Sequence, residues 1–76
     1  MITSSMARAY MAYVEILANR SIVTWKTRAY DVNDAKAQFY FECQQRKPPG
    51  APATCRVTNI LPWDGTEVDE DLSELE

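Results

Sequence analysis

The chain has 76 residues, a net charge of −3 and 46% hydrophobic residues, enough for one small domain and too apolar for wholesale disorder. No apolar run reaches the roughly 18–20 residues that span a bilayer, which excludes a membrane partner of that kind. No apolar stretch follows a basic start in the manner of a secretory leader, so a cytoplasmic setting is expected (that of the host cell if the protein is viral).

The charge is split along the chain. Residues 1–63 hold all eight basic residues against four acids, a net +4; residues 64–76 hold seven acids and no base, a net −7. The expected organisation is a loose N-terminus over 1–7, a single domain over 8–63 and an acidic C-terminal tail over 64–76.

In chain order, "RAYMAYVEIL" from Arg8 to Leu17 alternates with period two, which predicts a strand. Tyr10, Ala12, Val14 and Ile16 share one face; Met11, Tyr13 and Glu15 share the other. "ANRS" (18–21) has hairpin composition. "IVTWKTRAY" (22–30) predicts a second strand, with Val23, Trp25, Thr27 and Ala29 facing the core and Lys26 and Arg28 in water. Asp31 suits a helix N-cap, and Asp34 stands three residues later at the reciprocal position of a capping box. The helix is expected to run to Arg46 or Lys47, with Val32, Ala35, Phe39 and Cys43 on its buried face, and "KPPG" stops it. "TCRVTNIL" (54–61) predicts a third strand, with Cys55 and Val57 inward and Arg56, Thr58 and Ile60 outward, ended by Pro62. The tail is expected to be disordered or to form a short amphipathic helix on a partner, through Val68, Leu72 and Leu75. The result is an α+β fold of order β-β-α-β. Its sheet has three antiparallel strands in order 2-1-3, with one helix on one face and the other face open.

This residue set points away from catalysis. There is no histidine for acid–base work at neutral pH, no nucleophile motif, and only Gly50 and Gly65 to build a phosphate loop. No catalytic residue, cofactor site or metal site is assigned. Cys43 and Cys55, without histidine or a Cys-x-x-Cys pair, read as small buried apolar groups before they read as a bridge.

What remains is surface. The open sheet face would display Tyr13 among Lys26, Arg28 and Arg56, suited to a protein contact or, in kind, to base stacking with phosphate-binding cations. Phe41 falls nearly opposite the buried helix face and, with Ala37, makes an apolar patch suited to a partner or a homodimer. The tail acids, among them Asp64, Glu67, Asp69, Glu70 and Asp71, have three readings. They solubilise, they mimic nucleic-acid charge on a basic partner, or they fold back on the body's cations.

A hairpin, a capped helix of the type "AYDVNDAKAQF" and a return strand "TCRVTNILPW" resemble short phage-encoded inhibitors of host machinery, nearest the family of small podovirus inhibitors of bacterial RNA polymerase. Asp34-Ala35 matches that family's helix entry, Arg56 its strand arginine and Pro62 its proline. Some small anti-CRISPR proteins share the size and build. The resemblance implies a non-enzymatic viral protein that binds a host complex; a monomer or homodimer is expected. The expected function is occlusion of a nucleic-acid-handling machine, either RNA polymerase or a nuclease/CRISPR complex. Tyr13, Lys26, Arg28, Phe41 and Arg56 would make surface contacts, and the tail acids would occupy a basic groove. The alternative is a small single-stranded nucleic-acid-binding protein that uses the same sheet face.

Overall fold

A computed structural model describes residues 7–74. The loose N-terminus expected over 1–7 therefore lies outside the described residues, Ala7 apart, as does Leu75 of the tail. Strands β1 (Arg8–Ile16) and β2 (Ser21–Ala29) form a hairpin. Helix α1 (Val32–Gln45), strand β3 (Cys55–Pro62), the two-residue strand β4 (Glu70–Asp71) and a 3-10 turn (Leu72–Glu74) follow. The α+β class and the single helix match expectation. The sheet does not: it has four strands in the order β3-β1-β2-β4. The three expected strands keep their relative order and antiparallel pairing, and β4 adds a parallel neighbour to β2.

Each element forms for a local reason. In the hairpin, Asn19 Oδ1 accepts from the Ser21 amide at 3.0 Å, and Arg20 takes a left-handed φ of 63° to close the loop. At the helix start, Asp31 Oδ1 accepts from the Asp34 amide at 2.8 Å. Asp34 Oδ2 accepts in turn from the Tyr30 amide at 3.0 Å, so the box closes one residue before the N-cap. Arg46 caps the other end, its amide donating to Glu42 O.

The core lies between the sheet and α1. Ala12, Val14, Trp25, Ala29, Ala35, Phe39, Cys43 and Cys55 are buried there. Thr27, also buried, donates through Oγ1 to Gln38 Oε1 at 2.6 Å, and Gln38 Nε2 donates to Arg28 O at 2.9 Å. This pair fastens the helix to β2 and satisfies the buried Thr27 hydroxyl.

Three expectations are corrected. Val32, placed on the buried helix face by spacing, is 49% exposed. It is the first helical residue, and the chain has not yet turned back over the sheet at that point. Ile60, expected outward, packs against the core. The register between β1 and β3 shifts at Tyr13/Val14, leaving Thr58 as a bulge, and the extra residue reverses the alternation beyond it. The Thr58 hydroxyl donates to Tyr13 O at 3.1 Å within the bulge. Finally, the described part of the acidic segment is neither disordered nor a free amphipathic helix. Residues 63–71 run from the β3 edge across the outer sheet face to the β2 edge. The Trp63 amide donates to Ala9 O and the Asp69 amide to Thr24 O, both near 3 Å. Hydrogen bonds and ion pairs to the basic body compensate the segment's self-repulsion.

Ending the chain after Trp63 removes β4, the cover over Met11 and the packing of Leu72 on the core. The expected loss is about 2–3 kcal/mol, the scale of burying one large aliphatic side chain. That is much of the roughly 3–5 kcal/mol a core of this size supplies. Urea unfolding followed by tryptophan fluorescence reads it; an unchanged midpoint would mean the crossing segment adds nothing to the fold.

Candidate functional site

The outer sheet face can be read row by row from the strand register. One row runs Arg56–Glu15–Ile22, the next Asn59–Tyr13–Thr24, and the third Leu61–Met11–Lys26. Arg28 stands beyond, opposite Ala9. Arg56 and Lys26 are thus four residues apart along the strands, about 13 Å at the usual strand rise. The four residues Tyr13, Lys26, Arg28 and Arg56 share a face but do not converge on one point.

Two of the three cations on this face are engaged within the chain. Arg56 Nη2 donates to Glu15 Oε1 at 2.7 Å, and its side chain is 67% exposed. Lys26 is held more firmly. Its Nζ lies 3.1 Å from Asp71 Oδ2 and 4.1 Å from the centre of the Trp63 ring, and only 14% of its side chain is exposed. The face expected to be open is therefore crossed at its middle. Met11, placed on that face by alternation, is 6% exposed, with Thr66 Oγ1 3.9 Å from its sulfur.

The tail acids divide by role. Asp69 fixes the segment to β2: Oδ2 accepts from the Thr24 amide at 2.8 Å and from Thr24 Oγ1 at 3.1 Å. Glu70 turns to the helix side, where Oε1 accepts from Arg46 Nη2 at 2.7 Å. Arg46 also bonds Glu42 and lies 4.6 Å over the Trp25 ring. Asp71 turns to the outer side, toward Lys26. The Ser73 hydroxyl holds the Asp71 carboxyl below its ordinary range; burial opposes this and Lys26 adds to it. Asp64 and Glu67 remain exposed on the crossing stretch. Asp64 accepts from the Thr66 amide at 3.1 Å, and the Thr66 backbone and hydroxyl hold its carboxyl below the ordinary value.

On the opposite side of the molecule, Phe41 is 61% exposed, as its helical position predicted. It lines a groove of about 460 Å³ with Ala37, Gln38, Glu42, Thr27 and Leu72. Phe41 is therefore separated from the sheet-face residues by the whole core. Leu72 was missed as a member of this patch, because a tail expected to be free assigns it no neighbour.

Cys43 and Cys55 are free thiols, both buried, with their sulfurs 3.1 Å apart. Burial, with the hydrogen bond from Cys55, pushes the Cys43 thiol up to about 12. Such a thiol is a poor nucleophile at neutral pH. Among the described residues no cluster of acids and thiols has the form of a metal site, and no helix is long and apolar enough to cross a membrane. No family model, curated protein or solved structure matches the chain.

Two outcomes are expected. Asp71 has a lowered folded-state pKa, so its contribution to stability is complete above the unfolded value of about 4 and is lost as pH falls through the folded value. The gap in urea midpoint between wild type and Asp71→Asn should thus be present at pH 6 and close below about pH 4; a pH-independent gap would mean the charge is immaterial. Cys43 and Cys55 should resist iodoacetamide at pH 8 in the folded protein and react in urea, read by mass. Rapid labelling of the folded protein would contradict their burial.

Proposed function

We infer that the chain is a non-enzymatic binding protein that occludes a basic, nucleic-acid-handling surface of a host machine, in the manner of a phage-encoded inhibitor. RNA polymerase or a nuclease/CRISPR complex is the partner class that fits. One observation carries the reading. The crossing segment carries Asp64 and Glu67, both exposed, across a face on which two of the three cations, Lys26 and Arg56, are paired with Asp71 and Glu15, while Arg28 stands exposed at its end. A face that alternation makes basic thereby presents carboxylates outward. Carboxylates on a segment that is hydrogen-bonded to the sheet at both ends can take the place of phosphates on a partner's basic groove, and such contacts weaken with salt.

Single-strand binding by the same face has less support. Trp63 and the backbone after it occupy the middle of the platform, and Lys26 is engaged from two sides. Phosphate binding needs a strong basic footprint, and the chain is acidic overall.

The test is capture from nuclease-treated bacterial lysate at low salt, with each retained protein identified. Asp64→Asn, which keeps an acceptor for Thr66, is combined with Glu67→Lys. Polymerase or nuclease subunits should be retained by the wild type, elute with salt, and be reduced at least tenfold by the double variant. Retention that ignores both salt and the variant, or binding of labelled single strands in place of protein, would overturn the reading.

A further inference from the structure

We propose that the open edge of β3 and the cleft between it and α1 form a docking site for an extended, acidic peptide segment, taken up by strand addition. This surface is distinct from the acidic outer face, and the proposal does not depend on what that face binds.

The edge comes first. β3 is the outermost strand on its side of the sheet. The Leu17 amide donates to Thr54 O, and the Trp63 amide donates to Ala9 O. These two bonds fix the phase of the antiparallel ladder at both ends of β3. Counting inward with the register, Arg56, Asn59 and Leu61 turn their backbone groups toward β1. Val57 and Ile60 turn their amides and carbonyls away from it, to the open edge. Pro62 shares that phase, so its missing N–H falls on the open side, where the ladder does not need it.

The cleft lies on the helix side of the same edge. α1 leaves Val57 and Ile60 half-exposed, and Tyr40 stands exposed between two cavities of about 210 and 220 Å³. The first has Cys43, Cys55 and Val57 in its lining; the second has Val57 and Ile60. A strand added at the edge places the side chains opposite Val57 and Ile60 on this same face. The residues whose backbones would bond β3 are thus the residues whose side chains would enter the cavities. Specificity by alternate side chains and affinity by main-chain bonds would act at the same positions.

Charge selects the occupant. Lys36 borders the second cavity; Arg56, whose exposed guanidinium also bonds Glu15, borders the first; and no carboxylate lines either. A segment with branched apolar residues at alternate positions and acids at its ends complements that layout. A basic segment does not.

The probe is the synthetic peptide acetyl-Asp-Val-Thr-Val-Asp-Glu-amide, added to the full chain and followed by amide hydrogen exchange. The Val57 and Ile60 amides should exchange at least tenfold more slowly with peptide. A peptide N-methylated at both valines should protect neither. Lys36→Glu should weaken the acidic peptide at least tenfold and accept the same peptide with Lys in place of its acids. Circular dichroism checks that this surface variant is folded. No protection at millimolar peptide overturns the proposal, as does equal protection by the N-methylated peptide. Protection of the two amides without peptide, rising with protein concentration, would assign the edge to a second copy and overturn it as well.

Discussion

A single lysine explains why the segment that follows β3 lies where it does. Lys26 projects from β2 on the side of the sheet away from the helix, and its ammonium is largely removed from water. An ammonium in that position needs a counter-charge. Asp71 supplies it from one edge of the sheet, and the face of Trp63 supplies a second contact from a residue that leaves the other edge. Both groups can reach the same nitrogen only if the chain between them crosses the sheet. The cover over Met11, the pairing of β4 with β2 and the outward carboxylates of Asp64 and Glu67 all accompany that crossing.

The two sides of the molecule are consequently unlike. On the outer side, the crossing segment brings acids to the face, and two of its three cations, Lys26 and Arg56, are matched internally. On the helix side, Arg46 links α1, Trp25 and β4 at one edge, where it meets Glu42 and Glu70. At the other edge nothing comparable closes the sheet among the described residues, and Val57 and Ile60 stay half-exposed beneath α1. The same fold thus finishes one edge with a strand and leaves the other with unpaired backbone groups.

Much of the fold was legible in the sequence, because its causes are local. Alternation located β1 and β2, Asp31 and Asp34 marked the helix start, and Ala35, Phe39 and Cys43 marked its buried face. Where a cause was not local, the reading failed. The bulge at Thr58 depends on how β3 meets β1, and no residue in "TCRVTNIL" announces it; Ile60 was assigned to the wrong face for that reason. β4 is two acidic residues, which by composition belong to a disordered tail. Its partners, Thr24 to Lys26 and Arg46, lie far away in sequence. One signal was available: Met11 and Trp63 are large apolar groups that an open face would leave in water; the segment after Trp63 covers Met11, and the Trp63 ring lies against Lys26. Tyr13, Lys26, Arg28 and Arg56 share the face that alternation assigned them, but that Lys26 and Arg56 were already engaged could be seen only with the partners in position.

The pairing of β4 with β2 also orders events in time. β1 and β2 are joined by a short loop, and α1 follows at once, so these contacts can form as soon as their residues are available. Asp69 and Thr24 are separated by 45 residues, and β4 is made after every other strand. During synthesis the β2 edge and the Lys26 side of the sheet therefore stay uncovered until the chain beyond Asp71 has cleared the ribosome. The young hairpin carries an unmatched cation and an unpaired edge through that interval. Charge on an edge disfavours its pairing with a neighbour, so the lysine that fixes the finished sheet also charges the unfinished one.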